Sequence, residues 1–394
     1  MANTLSFDDL STVLNSIVKQ ATGQTTLTAT DTSSFVAQAQ TALLAGYDTL
    51  ATSISQVLSK TIFSVRPYNR KFGGLYADAV KWGNHVRKLT AIDKDFEADQ
   101  RFTLTEGTSV DQYKVSKPQV LQTNFYGGQT YQKHLTIYRD QLDQAFTGPD
   151  QFGSFISMVL QNASDQIEQA HEDTSRGAVA NMIGAKVVGD TTNVIHLVTE
   201  YNAWIGGETP LTLQELRSPA NYPSFIRWVY ARMMTIADLM TERSVKYHLN
   251  LTTADTPVYI NRHTPYDRMK MYILSSEMNN IEAEVFSQTF HTDFLRMVDY
   301  ERVNFWQSIG SGDQINLTPS YIDTAGVVKK GTATAKANVF GILMDEEAVG
   351  YTMINEWSQN SPFNAAGGYY NQFWHFTDRY WNDMTENCVV FLLD

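Results

Sequence analysis

From Phe152 to Thr174, apolar side chains recur at helical spacing for about six turns. Phe152, Phe155, Ile156, Val159, Ala163, Ile167, Ala170 and Thr174 fall on one face, and Gln161, Asp165, Glu168 and Glu172 take the other. Gly148-Pro149-Asp150 supplies a start signal, with proline in the first turn. The pattern predicts a helix that continues through Met182-Ile183 and stops near Gly184. At 1.5 Å per residue that is a rod of roughly 50 Å, and its apolar stripe needs a partner surface of the same length. Any fold for this chain is built along that rod.

What precedes the rod is of two kinds. The first 65 residues read as helices with polar spacers. Ser6 is a candidate N-cap for a stripe of Leu10, Val13, Leu14 and Ile17. A Thr/Ser/Gly-rich spacer from Ala21 to Ser34 follows, and a second helical pattern runs from Phe35 through Ala39, Leu43, Tyr47, Leu50 and Ile54 to Leu58. These stripes are short and separated, as in an arm that docks on another body. From Ser64 to about Tyr131 the helical period fades. Arg66-Pro67, Gly73-Gly74 and Gly127-Gly128 mark turns between alternating stretches such as Arg101–Glu106. Charge is segregated there. Arg66, Arg70, Lys71, Lys81, Arg87 and Lys88 stand against Asp78 in the first part, and Asp93, Asp95, Glu97, Asp99, Glu106 and Asp111 against Lys94 and Arg101 in the second. Such a stretch is hard to bury and suits a projecting hairpin meeting complementary charge on neighbours. Arg66, Arg70, Lys71, Arg87, Lys88, Asp93, Asp95, Glu97 and Asp99 are therefore the candidate inter-subunit contacts.

After the rod the pattern is mixed. Lys186–Thr199 carries a strand-like set (Val187, Val188, Val194, Ile195, Leu197). A helix is expected from Pro223 through Phe225, Trp228, Val229, Met233, Ile236 and Met240. Pro257–Asn261 reads as a strand, followed by a helix from Pro265 to about Leu274. Val339–Met344 and Cys388–Leu393 read as strands, so the apolar C-terminal segment is expected inside a sheet. The fold class is α+β.

Composition narrows function. A net charge of −12 argues against tight phosphate binding by the body of the protein. The lone Cys388 excludes an intramolecular disulfide and a cysteine-rich metal site. MANTLSFDDL lacks the basic start and apolar stretch of a signal peptide, and no apolar run approaches the roughly 18 residues of a membrane span. A protein made in the cytoplasm, without a membrane partner, is expected. Aromatic residues make up 12% of the chain, a bias shared by protein interfaces and by some carbohydrate-binding proteins. Catalytic signatures are missing. The eight histidines are scattered, and His171-Glu172 and His291-Thr-Asp293 are better read as polar patches than as half metal sites. No Gly-Lys dipeptide and no Gly-x-Ser-x-Gly elbow occurs. Glu282 with Glu284, and Asp345, Glu346 and Glu347, are neighbouring carboxylates of the kind common on solvated faces. No residue is assigned to catalysis, a cofactor or a metal.

The order of elements (helical arm, charge-segregated β excursion, long amphipathic helix, mixed region, returning strands) resembles the capsid fold named after bacteriophage Hong Kong 97. Val258-Tyr-Ile-Asn-Arg-His-Thr-Pro-Tyr-Asp-Arg268, Phe340-Gly-Ile-Leu-Met-Asp-Glu-Glu-Ala-Val-Gly350 and Tyr369-Tyr-Asn-Gln-Phe-Trp-His-Phe-Thr-Asp-Arg-Tyr-Trp381 resemble major capsid proteins of podovirus-like tailed double-stranded-DNA phages. The resemblance implies an N-terminal arm (1–65), an E-loop with flanking peripheral strands (66–135), a peripheral domain with a spine helix (136–200), an axial domain (201–338), and C-terminal strands returning to the peripheral and axial core (339–394). It implies self-assembly into pentamers and hexamers of an icosahedral or prolate head, with a separate scaffolding protein and a portal as partners. Packaged DNA would be touched weakly and without sequence preference. The protein would sit in the virion, and in the host cytoplasm before assembly. Two other readings stay open: a tail or connector component, and a glycan-active hydrolase using carboxylate pairs with aromatic platforms.

Overall fold

The structure is a computed structural model and describes residues 7–22, 32–44, 53, 71–75, 86–92, 98–115, 117, 119–126, 128–253, 256–258, 260–286, 298–307 and 312–394. Helices α1 (Phe7–Thr22) and α2 (Thr32–Leu44) come first. The hairpin strands β1 (Val86–Ile92) and β2 (Gln119–Phe125) follow, then β3 (Gln129–Tyr138), α3 (Arg139–Ala145) and the long α4 (Pro149–Gly189). After them come β4 (Val194–His196), α5 (Leu197–Ile205), α6 (Leu213–Leu216) and α7 (Tyr222–Thr241). A small hairpin, β5 (Leu251–Thr253) and β6 (Thr256–Val258), precedes β7 (Met269–Leu274), α8 (Ser275–Ile281) and β8 (Tyr300–Val303). Four short strands, β9 (Ile315–Leu317), β10 (Ser320–Ile322), β11 (Val328–Lys330) and β12 (Thr334–Lys336), form two two-stranded ribbons. The last strands are β13 (Val339–Asp345), β14 (Val349–Asn360), β15 (Tyr369–Asn382) and β16 (Cys388–Leu392).

Two sheets organise the body. The five-stranded one has the order β4-β16-β13-β7-β8. It is buried on both faces, which is why β13 and β16 read as unbroken apolar runs. Cys388, Val390, Leu392, Ile342 and Tyr272 pack with Ala178, Val179, Met182 and Ile183 of α4. Val389, Phe391, Leu343, Met271 and Ile273 pack with Tyr201, Phe225, Val229, Met233 and Ile236 of α5 and α7. The three-stranded sheet has the order β14-β15-β3. Its central strand alternates, with Tyr370, Gln372, Trp374, Phe376 and Asp378 buried on one face, and Ile167 of α4 packs with Trp374 and Phe376. The helix thus serves both sheets, one along each part of its length.

The rod is 41 residues long and passes the expected stop at Gly184. A β-carbon on Gly184 would lie 3.1 Å from both Leu317 and Pro319. That glycine answers the close approach of the β9–β10 segment and does not end the helix. Val187 and Val188 are helical, not strand-like, and the helix ends instead at Gly189–Asp190, with Asp190 N–H bonded to Lys186 O. Leu197, also read as strand, opens α5, which stops at the left-handed Gly206 (φ 66°). The segment 265–274 is a second correction. Pro265 starts a single tight turn over Tyr266–Arg268, and Met269–Leu274 is a strand paired to both β13 and β8. Its side chains are buried except for half-buried Lys270, and a short apolar run covered on two faces is sheet core. The N-cap Ser6, the second helical pattern beyond Leu44 and the side chains of Ile156, Val159 and Ala163 lie outside the described residues.

Candidate functional site

The β1–β2 hairpin is antiparallel, in register from Val86 opposite Phe125 to Ile92 opposite Gln119. An isolated two-stranded ribbon is marginal in water, so its root needs support. One support is apolar: Val86, Phe125 and Trp381 form a small buried cluster, with the Phe125 and Trp381 rings 6.3 Å apart. A β-carbon at Gly350 would overlap the Trp381 ring at 2.0 Å, so glycine is required for the indole to lie there.

The other support is ionic. Lys88 Nζ lies 2.5 Å from Glu386 Oε1, 3.1 Å from Asp383 Oδ2 and 3.1 Å from Glu347 Oε2. Arg262 meets Glu386 at 3.0 Å, and donates to Thr90 Oγ1 on the hairpin at 3.3 Å and to Thr385 O at 3.0 Å. Burial pushes the Lys88 ammonium down, but Asp383, Glu386 and Glu347 outweigh it and hold the pKa above the usual lysine range. Burial pushes the Glu386 carboxyl from 4.5 to about 6, with Asp383 adding to the rise and Lys88 and Arg262 opposing it.

The raised Glu386 value has a pH consequence. The folded subunit holds the proton over a window where the unfolded chain has released it. The stability carried by the neutral acid is therefore present below about pH 4.5 and lost as pH rises through about 6. A shift of this size corresponds to about 2 kcal/mol. Glu386→Gln, which cannot ionise, is expected to gain about that much on the wild type between pH 4 and pH 7. Urea melts at the two pH values check this, and a constant gap would remove the prediction.

Beyond the root, the described part of the hairpin is not buried. Every described residue from 98 to 115 is exposed, including Phe102 (86%), Tyr113 (79%) and Val115 (78%). Local turns shape this tip. Asp99 accepts from Arg101 N at 3.0 Å and from Arg101 Nε at 2.8 Å, and these bonds hold its carboxyl below the usual range. Thr108 Oγ1 donates to Thr105 O at 2.7 Å, Asp111 accepts from Tyr113 N at 2.9 Å, and Gly107 supplies a left-handed turn (φ 84°). The tip is folded locally, yet it presents apolar side chains to water.

The nine candidate contacts divide three ways. Arg87 is exposed on β1, Lys71 is exposed in the turn before buried Phe72, and Asp99 is exposed at the tip. Lys88 instead joins the intrachain cluster at the root. Arg66, Arg70, Asp93, Asp95 and Glu97 lie outside the described residues. Reading the sequence missed Asp383, Glu386 and Arg262, because the acids sit in a short turn between two strands with nothing nearby to announce a partner.

The weaker chemical candidates have structural uses. His171 Nδ1 bonds Tyr351 Oη and lies 3.2 Å from Asp378. Glu172 accepts from Phe72 N at 3.2 Å and from Arg176 at 2.6 Å, fastening the 71–75 turn to α4. Glu282 pairs with Arg302, Asp345 accepts from Thr264 at 2.8 Å, and Arg268 pairs with Glu346 at 2.5 Å and Glu347 at 3.2 Å. His291 and Asp293 lie outside the described residues. Among the described residues no cluster of His, Cys, Asp or Glu is arranged to hold a metal, and no helix is long and apolar enough to cross a membrane.

Comparison with known proteins bears on the hairpin's purpose. The sequence profile of the Phi29-like phage major capsid protein family matches residues 14–392. No curated protein matches the sequence. Among solved structures, a chain in the capsid of Staphylococcus phage Andhra superimposes with a TM-score of 0.52 at 10% identity, covering 84% of each chain. A chain in the structure of the head fiber and inner core protein gp22 of native bacteriophage P68 gives 0.52 at 10% identity, covering 83% of this chain and 85% of that one. At such identity the likeness is one of fold.

Proposed function

Because the chain belongs to the family of Phi29-like phage major capsid proteins, we propose that its β1–β2 hairpin is the arm by which one subunit of the head shell holds the next. The protein is a shell-forming component of the virion with the Hong Kong 97 type of capsid fold. In this reading residues 1–65 are the N-terminal arm and 66–135 the E-loop. Residues 136–200 are the peripheral domain with α4 as its spine, 201–338 the axial domain, and 339–394 the returning strands. The single observation that carries the reading is the tip. Phe102, Tyr113 and Val115, gathered on one loop, are the most exposed large apolar side chains among the described residues.

Subunits gather as pentamers and hexamers, each arm making modest contacts that sum through multivalency to a shell able to hold packaged DNA. The acid balance of the chain keeps that DNA in loose, sequence-independent contact. A separate scaffolding protein and a portal complete the assembly, which begins in the host cytoplasm, and the subunit performs no catalysis of its own. Arg87 and Lys71, both exposed, meet acidic groups of neighbours. Reversing both, Lys71→Glu with Arg87→Glu, places like charges at that joint, which costs several kcal/mol at an interface. The double variant is expected to give soluble subunits with an unchanged melt and at least tenfold fewer closed particles by negative-stain microscopy. A normal particle yield would remove the charge-pairing role from these residues.

A further inference from the structure

The arm is held by its root, and the root is asymmetric. On one side of Lys88 stands the Val86–Phe125–Trp381 cluster. On the other stand three carboxylates from two different turns of the body: Glu347 before β14, and Asp383 and Glu386 between β15 and β16. Arg262 closes the arrangement by linking Glu386 to Thr90, two residues further out on β1. Asp383 is fully buried and is itself fixed by Thr385, whose N–H and Oγ1 donate to it at 2.9 and 2.6 Å. Asp383 is therefore held by the body itself, and Glu386 is also paired with Arg262. An ammonium taken from water among them is firmly held, because leaving buried carboxylates without their cation is costly. An apolar patch lets a ribbon rock, whereas one nitrogen met by oxygens of three side chains, one of them held by Thr385, defines a direction.

We propose that Lys88, with Arg262 as its second strut, is the positioning latch that sets the angle at which the arm leaves the subunit and so the curvature of the shell. This rests on the reading that the arm joins neighbours. The arm runs about 20 Å from Val86 to Ile92 at 3.3 Å per residue and then carries the tip, so a small rotation at the root moves the tip by several ångströms. The same error repeats at every joint of a ring, and whether a ring closes depends on that rotation.

The test uses the full chain in two states. In the unassembled subunit, hydrogen exchange is followed over 86–92 and 119–125. In cells making the phage's head proteins, particle diameters are measured by electron microscopy. Lys88→Met is expected to speed exchange of the hairpin amides at least tenfold and to broaden the diameters or leave open sheets. Lys88→Arg is expected to restore both. Asp383→Asn with Glu386→Gln releases the latch from the body side while keeping the acceptors for Thr385, and should reproduce Lys88→Met, which keeps the idea testable should that variant fold poorly. If the hairpin stays protected in Lys88→Met and in the double variant, the latch is overturned. If it is released while shells keep one diameter, the latch exists but does not set curvature, which overturns the proposal's claim about shell shape. The inter-subunit reading stands or falls instead on whether shells form with the Lys71→Glu, Arg87→Glu variant.

Discussion

Val390→Asp is expected to leave no soluble subunit. Val390 is fully buried in β16, with β4 paired on one side of the strand and β13 on the other, and with α4 packed over its face. The change removes a buried valine, about 1.5–3 kcal/mol. It also places a carboxylate in an apolar cluster whose buried α4 cation, Lys186, is already paired with Asp190 at 2.7 Å, which costs several kcal/mol more or forces protonation. The two together approach the net stability of a whole domain, about 5–15 kcal/mol. Val328→Asp is the matched control: that side chain is 73% exposed on the β10–β11 ribbon, and the change should stay within about half a kcal/mol. Soluble yield and circular dichroism melts compare them. A folded, soluble Val390→Asp subunit would mean that the C-terminal strand is dispensable, and with it the five-stranded core.

Phe102→Ser with Tyr113→Ser is expected to do the reverse, sparing the subunit and stopping the shell. Both rings are exposed, so their removal costs the free subunit within about half a kcal/mol. At an interface a buried aromatic anchor is worth about 2 kcal/mol or more. Losing two raises the concentration of free subunit in balance with shells by about three orders of magnitude, at 1.4 kcal/mol per tenfold. Sedimentation of assembly mixtures at graded protein concentration measures this. Shells forming at the wild-type concentration would show that the tip is not an anchor. A collapse of subunit stability would show instead that its rings belong to the folded body.

The sequence showed its helices best where one face is wet. Phe225, Val229, Met233, Ile236 and Met240 recur at the spacing of α7, and all are buried there. A half-buried helix advertises itself because its period is repeated over many turns within a few residues of chain. Met269–Leu274 was misread for the opposite reason. A strand covered on both faces has no alternation to betray it, and the proline before it looked like a helix start. Gly184 misled in the same way, since a glycine that ends a helix and one that admits a crossing strand look identical in one dimension.

The sequence by itself determined that a long two-faced rod exists, that its start lies at Pro149, that the apolar C-terminal segment is core, and that the excursion before the rod has its charges sorted by sign. These are properties of residues close together in the chain, where backbone geometry alone converts spacing into a face. Only the tertiary structure decided which charge answers which. Lys88 belonged, in sequence, with the basic residues expected to reach for neighbours, yet it finds Asp383 and Glu386 at separations of 295 and 298 residues. No local pattern carries that pairing. It arises because β15 and β16 pack into separate sheets, and the turn joining them holds two acids beside the hairpin root, where burial makes an answering cation necessary.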